Sequence, residues 1–222
     1  MQALCGTGLE WTGRGAWVVN ASFLGNGAHF DRHTQQEDHS WSDGLTLDSG
    51  PGAVVDTSWF VDNSDVNLII GGGTGARITN NRVWMTGNAA FAGIMLDNFN
   101  SNPNSDFTGA LVTNNTVRCQ QRCHFGIELG PHPWYNSANI FGGLVTGNTV
   151  SGAGVLLNVD GAGTAAQPFT VFNNTLAGPC APGIEFLCRK TLCQVYNIAP
   201  DSVVDRRGDP TPASAIPWAG CP

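Results

Sequence analysis

Apolar and polar positions alternate in short runs along this chain, and the runs recur. Residues Trp17–Phe23, Val54–Phe60, Arg77–Val83, Leu111–Val117, Leu144–Val150 and Thr170–Leu176 share the pattern x-V-x-N-N-x-V, and a broken seventh copy opens at Gln194. Their starts lie 37, 23, 34, 33, 26 and 24 residues apart. A second motif, G-I-x-L, follows each of the first six copies, at Gly44–Leu47, Asn67–Ile70, Gly93–Leu96, Gly126–Leu129, Gly154–Leu157 and Gly183–Phe186. Apolar residues at every second position mark a strand with one buried face. Strands this short cannot close a fold by themselves, and each copy buries its apolar face only by stacking on the next. The expectation is a parallel β-helix whose turns lie ~4.8 Å apart, with the spacings above 23 residues holding loop insertions.

The repeat of V-x-N-N-x-V followed by G-I-x-L resembles the right-handed parallel β-helix proteins of the pectin-lyase-like superfamily, over residues 15 to 197. That resemblance implies an all-β, right-handed solenoid of about seven turns. It implies no single activity, since such folds serve lyases, hydrolases, epimerases, tailspikes and adhesins. Residues 1–14 read as an N-terminal cap or remnant, 15–198 as the solenoid, and 199–222 as a Cys/Pro-rich tail. The column Ser22, Ser58, Asn81, Asn115, Asn148 and Asn174 reads as a ladder of stacked side chains at one corner, with the residue before each facing outward.

Composition narrows the function. Charged residues make up 12% of the chain and the only lysine is Lys190, too few for the wet faces of a helical bundle. A net charge of −7 with scattered basic groups argues against nucleic acid as a partner. No apolar run approaches the ~18 residues of a membrane span, and the opening residues read as no signal peptide. Seven cysteines, none in a CxxC pair, and sequons at Asn20, Asn114 and Asn173 fit a secreted, partly disulfide-bonded glycoprotein. Pairing of Cys119 with Cys123 is one plausible bridge.

Chemistry is expected on the outward positions of the G-I-x-L strands. These carry Ser42, Thr46 and Asp48, then Asp65, Asn67 and Ile69, then Phe91, Met95 and Asp97, then His124 and Glu128, then Leu156 and Asn158, and last Glu185. Asp97 and Glu128 fall one turn apart and two residues out of step, so their backbones should lie ~8 Å apart. Inverting glycosidases hold their two carboxyls ~6.5–9.5 Å apart. Asp65, Asp97 and Glu128 are therefore the leading catalytic candidates, with Asp43 and Asp62 in support or serving as turn caps. Crowded carboxylates repel, which raises one pKa and makes a proton donor.

The loop insertions supply walls, and Trp41, Trp134 and Tyr135 suit stacking on sugar rings. His124 and His132 suit sugar hydroxyls, and Arg122 suits a charged group. No cofactor is expected. Calcium is the one metal the carboxylates could take, but no EF-hand or nonapeptide calcium repeat is present. The partner expected is a polysaccharide or oligosaccharide, cut by hydrolysis. The alternatives are elimination by a lyase, calcium-assisted or using Arg122, and a non-catalytic binding or structural solenoid.

Overall fold

The computed structural model describes residues 6–27, 42–99, 104–131, 139–159, 169–177, 203–206 and 210–212. Among them there is no helix, and so none long and apolar enough to cross a membrane. The strands are β1 (Leu9–Thr12), β2 (Trp17–Val19), β3 (Ser22–Leu24), β4 (Leu45–Ser49) and β5 (Val54–Asp56). Next come β6 (Trp59–Val61), β7 (Val66–Ile70), β8 (Arg77–Thr79), β9 (Arg82–Trp84) and β10 (Ala90–Leu96). Then follow β11 (Asn104–Asp106), β12 (Leu111–Thr113), β13 (Thr116–Leu129), β14 (Asn139–Phe141) and β15 (Leu144–Thr146). The last are β16 (Thr149–Val159), β17 (Phe169–Phe172), β18 (Thr175–Ala177), β19 (Val203–Arg206) and β20 (Pro210–Pro212).

Each copy of the repeat lies in parallel on the next, rung upon rung. One sheet runs β2-β5-β8-β12-β15-β17-β19, with β20 added antiparallel at its end. A second, curled sheet joins β1-β4-β7-β10-β13 to β9-β6-β3, with β13 spanning the join and β16 and β18 extending it. This all-β arrangement of stacked parallel strands is compatible with a solenoid. The seventh repeat copy at Gln194 lies outside the described residues, but β19 pairs in parallel with β17. Parallel stacking therefore reaches into the segment read as a tail.

Alternation sets the core. Leu45, Leu68, Ile94, Ile127 and Leu157 form one inward column, and Leu47, Ile70, Leu96 and Leu129 form another. The corner ladder is present, with one correction. The first rung contributes Ala21 and not Ser22, because Ser22 pairs with Trp59 and the Ala21 N–H bonds to Ser58 Oγ. Asn81, Asn115, Asn148 and Asn174 then pass side-chain hydrogen bonds of 2.9–3.0 Å from rung to rung. The residue before each takes the left-handed conformation: Asn20, Thr57, Asn80, Asn114 and Asn173 have φ between 49° and 58°. Asparagine tolerates that region better than most residues.

A second ladder, not foreseen, runs Asn26 to Asn63 to Asn67 by bonds of 2.7 and 2.9 Å. Asn67 thus points inward, against the outward expectation. Leu156 also belongs to the core, and Asn158, not Leu156, is the register partner of Glu128. Strict alternation breaks at the column Gly44, Asn67, Gly93 and Gly126, where Asn67 and Leu68 both face inward. Residues three apart, such as Val66 and Ile69, consequently share one outer cluster. A Cβ on Gly126 would lie 2.2 Å from Val150 Cγ1 and 2.6 Å from the Leu156 carbonyl oxygen. Gly126→Ala should therefore cost about 2 kcal/mol through overpacking, read as a lower melting temperature in a thermal scan.

Candidate functional site

The outer face of β4, β7, β10, β13 and β16 carries the acids, and its register fixes their neighbours. Thr46, Ile69, Met95, Glu128 and Asn158 form one column. Glu10 heads it, because β1 pairs with β4 and sets Glu10 beside Thr46. The motif Gly8-Leu9-Glu10 repeats Gly44-Leu45-Thr46, which is the signal that would have placed β1 as a rung and not a cap. Asp97 lies one rung below Glu128 and two residues out of step, as expected, because Met95 pairs with Glu128. Their Cα atoms are thus ~8 Å apart.

This face is closed. Val66, Ile69, Ala92, Met95, Phe125 and Val155 form a second apolar cluster on it, with Phe91 and Phe99 packed alongside. Asp97, Glu128 and Asn158 are each 0% exposed. Neither carboxyl oxygen of Asp97 has a hydrogen-bond partner, and neither amide atom of Asn158 has one. Burial of an unpaired carboxylate is costly enough that the group stays protonated instead. Burial accordingly pushes Asp97 up to about 7. The Asn98 backbone N–H pulls the other way, from outside hydrogen-bonding geometry, and the charge of Asp43 adds to the rise.

Asp43 is the hub. It precedes β4, where its Oδ1 accepts the Val66 N–H at 3.0 Å and its Oδ2 accepts the Thr46 hydroxyl. Burial lifts it to about 6 against those two bonds, and the neighbouring charges of Glu10 and Asp48 lift it further. Asp65, before β7, is pushed to about 8 by burial first and by Asp43 second. Both side chains are partly exposed, so they mark the wet margin of the cluster. Asp48 accepts the Thr12 hydroxyl at 2.7 Å. No cationic side chain acts on Asp43, Asp65 or Asp97 among the described residues.

Two candidates sit elsewhere. Asp62, after β6, accepts the Thr86 N–H and hydroxyl, each at 2.6 Å, and the Gly87 N–H at 2.9 Å. It staples one turn to the next, the turn-capping alternative. Arg122 donates to the Gly87 carbonyl at 2.6 Å. It lies in a bulge closed by the Cys119–Cys123 disulfide, ~20 Å along the strand from Glu128. His124 stacks on Phe125 at 4.5 Å and contacts Phe91 at 5.6 Å. Burial lowers it to about 4, so it is a neutral part of the apolar wall. Trp41, His132, Trp134 and Tyr135 lie outside the described residues.

The arrangement can hold one carboxyl protonated beside another, which is the equipment of acid–base chemistry. Among the described residues no group of three or more His, Cys, Asp or Glu is placed to hold a metal ion. In comparisons with known proteins, no family model, no curated protein and no solved structure matches the chain.

Proposed function

We propose that this chain is a right-handed parallel β-helix of about seven turns, akin to the pectin-lyase-like superfamily, and a secreted glycoside hydrolase. The observation that carries the activity is the buried Asp97 carboxyl, unpartnered and held protonated near neutral pH, with Glu128 on the adjacent rung. In an inverting hydrolysis Asp97 gives its proton to the leaving glycosidic oxygen. Glu128 takes a proton from the water that attacks the sugar from the opposite face. The charge of Asp43 keeps the local field negative and so helps keep Asp97 loaded. Secretion is supported by the Cys119–Cys123 bridge and by exposed sequon asparagines at 20, 114 and 173.

The test is a screen of purified protein against polysaccharides, with product analysis, followed by Asp97→Asn and Glu128→Gln. Each variant should lower turnover about 100-fold, within the range for a lost acid or base. Full activity in both sinks the assignment. The complete burial of Asp97 and Glu128 beneath an apolar cluster favours a second reading, a non-catalytic solenoid. Sugar binding with no product from any substrate would support that reading instead.

A further inference from the structure

Two arginines share a face of the stack that holds no acid. On the outer side of β6, β9 and the first part of β13, Arg82 lies over the Trp59 ring at 4.9 Å and Arg118 over the Trp84 ring at 5.5 Å. Alternation sets all four outward, because Phe60, Val83 and Val117 between them belong to the core. From β6 to β18 the face presents two positions per rung: two tryptophans, two arginines, four serine or threonine hydroxyls, Val61 and Ala177. In a chain of net charge −7 this is a local reversal of sign. The acids at its two corners are engaged elsewhere. Asp56 accepts from Thr79 and Asn80, and Asp62 accepts from Thr86 and Gly87.

Both guanidiniums are exposed, and neither makes a hydrogen bond or an ion pair among the described residues. A guanidinium over an indole is attracted to the ring face, while its N–H donors stay available to a further partner. Here the rings are themselves braced, edge to face at 5.0 Å. The register pairs Trp59 with Arg82 and Trp84 with Arg118, so ring and cation follow each other in two columns. The arginines fall one rung and two residues apart, which sets their Cα atoms ~8 Å from each other. Groups ordered before a ligand arrives lose less freedom when it binds. We infer that this face is an anchoring strip for an anionic polysaccharide, held through its sulfate or carboxylate groups.

The planar fork of arginine matches both anions, with two parallel N–H donors to two oxygens. Past Arg118 the hydroxyls of Thr149, Ser151 and Thr175 continue the face along the stack. A hydroxyl both donates and accepts, as the hydroxyls of a sugar chain require. A peptide would add as a strand to a sheet edge, but β6, β9 and this part of β13 are paired on both sides and offer none. Nucleic acid is held by many phosphate contacts together, and two arginines supply few. The strip is open to solvent and requires no opening of the closed acid face. It does not depend on the hydrolase reading.

The test measures binding of dextran sulfate, unsulfated dextran, polygalacturonate and duplex DNA to the whole chain at pH 7. Dextran sulfate or polygalacturonate should bind about 10-fold tighter than dextran and DNA, and the tighter of the two names the anion. Raising NaCl from 50 to 200 mM should weaken that binding about 8-fold, as for two charge contacts. Arg82→Gln combined with Arg118→Gln should lower the affinity about 20-fold. Lysine at both positions keeps the charge without the fork and should lose about fourfold. Both sites are exposed, so the thermal melts should match the parent. Failure of both polyanions to bind overturns the inference, as does dextran or DNA binding as tightly as they do. Full affinity in the double glutamine variant overturns it too, and any hydrolysis seen would leave the hydrolase reading standing. Arginine-dependent binding without turnover of any polymer supports the strip and ends the hydrolase reading.

Discussion

Replacing Asp97 by asparagine raises the melting temperature by about 10 °C at pH 8.5 and by only about 4 °C at pH 5. The reason is the cost of ionising a buried, unpaired carboxyl. Asp97 ionises at about 7 in the fold against an ordinary value of 3.8. A raised carboxyl contributes stability that is fully present below the unfolded value and lost as pH climbs through the folded one. Between pH 4 and 7 that loss is on the order of 4 kcal/mol, at 1.36 kcal/mol for each pH step, or about 10 °C in a domain of this size. Asp43 and Asp65, raised to about 6 and about 8, push the same way. His124, lowered to about 4, pushes the opposite way, but only below its ordinary 6.5. Three acids outweigh one imidazole, so the unsubstituted protein should melt lower at pH 8.5 than at pH 5. Calorimetric melts of both proteins at the two pH values check this. A parent whose melting temperature holds steady or rises with pH defeats the claim. A variant that gains stability while losing turnover would show that the strain at Asp97 is kept for chemistry.

The repeat was legible because each rung asks the same residues of its corner: an inward amide, and before it a residue that accepts a left-handed backbone. Asn81, Asn115, Asn148 and Asn174 meet that demand in plain sight, and alternation around Leu68, Ile94 and Ile127 gave the core. The register of the next rung was harder to see. Between Arg118 and Cys123 strand β13 takes five steps where β16, from Ser151 to Ala153, takes two. The bulge holds Gln120 and Gln121 at positive φ and is clipped by the Cys119–Cys123 bridge. Matching Gly154 to Gly126 therefore misplaces Asn158, which reaches Glu128 only after the bulge is counted. Alternation also says which way a side chain leaves the strand, and nothing about what covers it. Asp97 and Glu128 were correctly set on the outer face, yet their complete burial was invisible. So was the role of Asp43, whose influence on Asp65 and Asp97 comes from rungs that the chain separates by more than twenty residues.

Asn115→Ala should be the most damaging single change in the corner, costing about 5 kcal/mol. Asn115 is 1% exposed and sits midway in the ladder. Its Nδ2 donates to the Ile78 carbonyl and to Asn148 Oδ1, both at 2.9 Å. Its Oδ1 accepts the Asn81 N–H at 2.9 Å and the Asn81 amide at 3.0 Å. Alanine strips the partner from a backbone carbonyl, a backbone N–H and part of two neighbouring amides, all shut away from water. A buried group so orphaned costs about 1–3 kcal/mol, and members of a network lose more together than singly. Asp is no rescue, because a carboxylate has no donor to give Ile78 or Asn148. Asn174→Ala provides the internal control. Asn174 is half-buried and donates to the Val145 and Phe172 carbonyls while accepting from Asn148, so water can replace part of what is lost, and about 2 kcal/mol is expected. Denaturant melts of the two variants should therefore separate by about 3 kcal/mol. Equal losses would mean that the rungs are held by their apolar columns alone, with the asparagines merely shaping the bend.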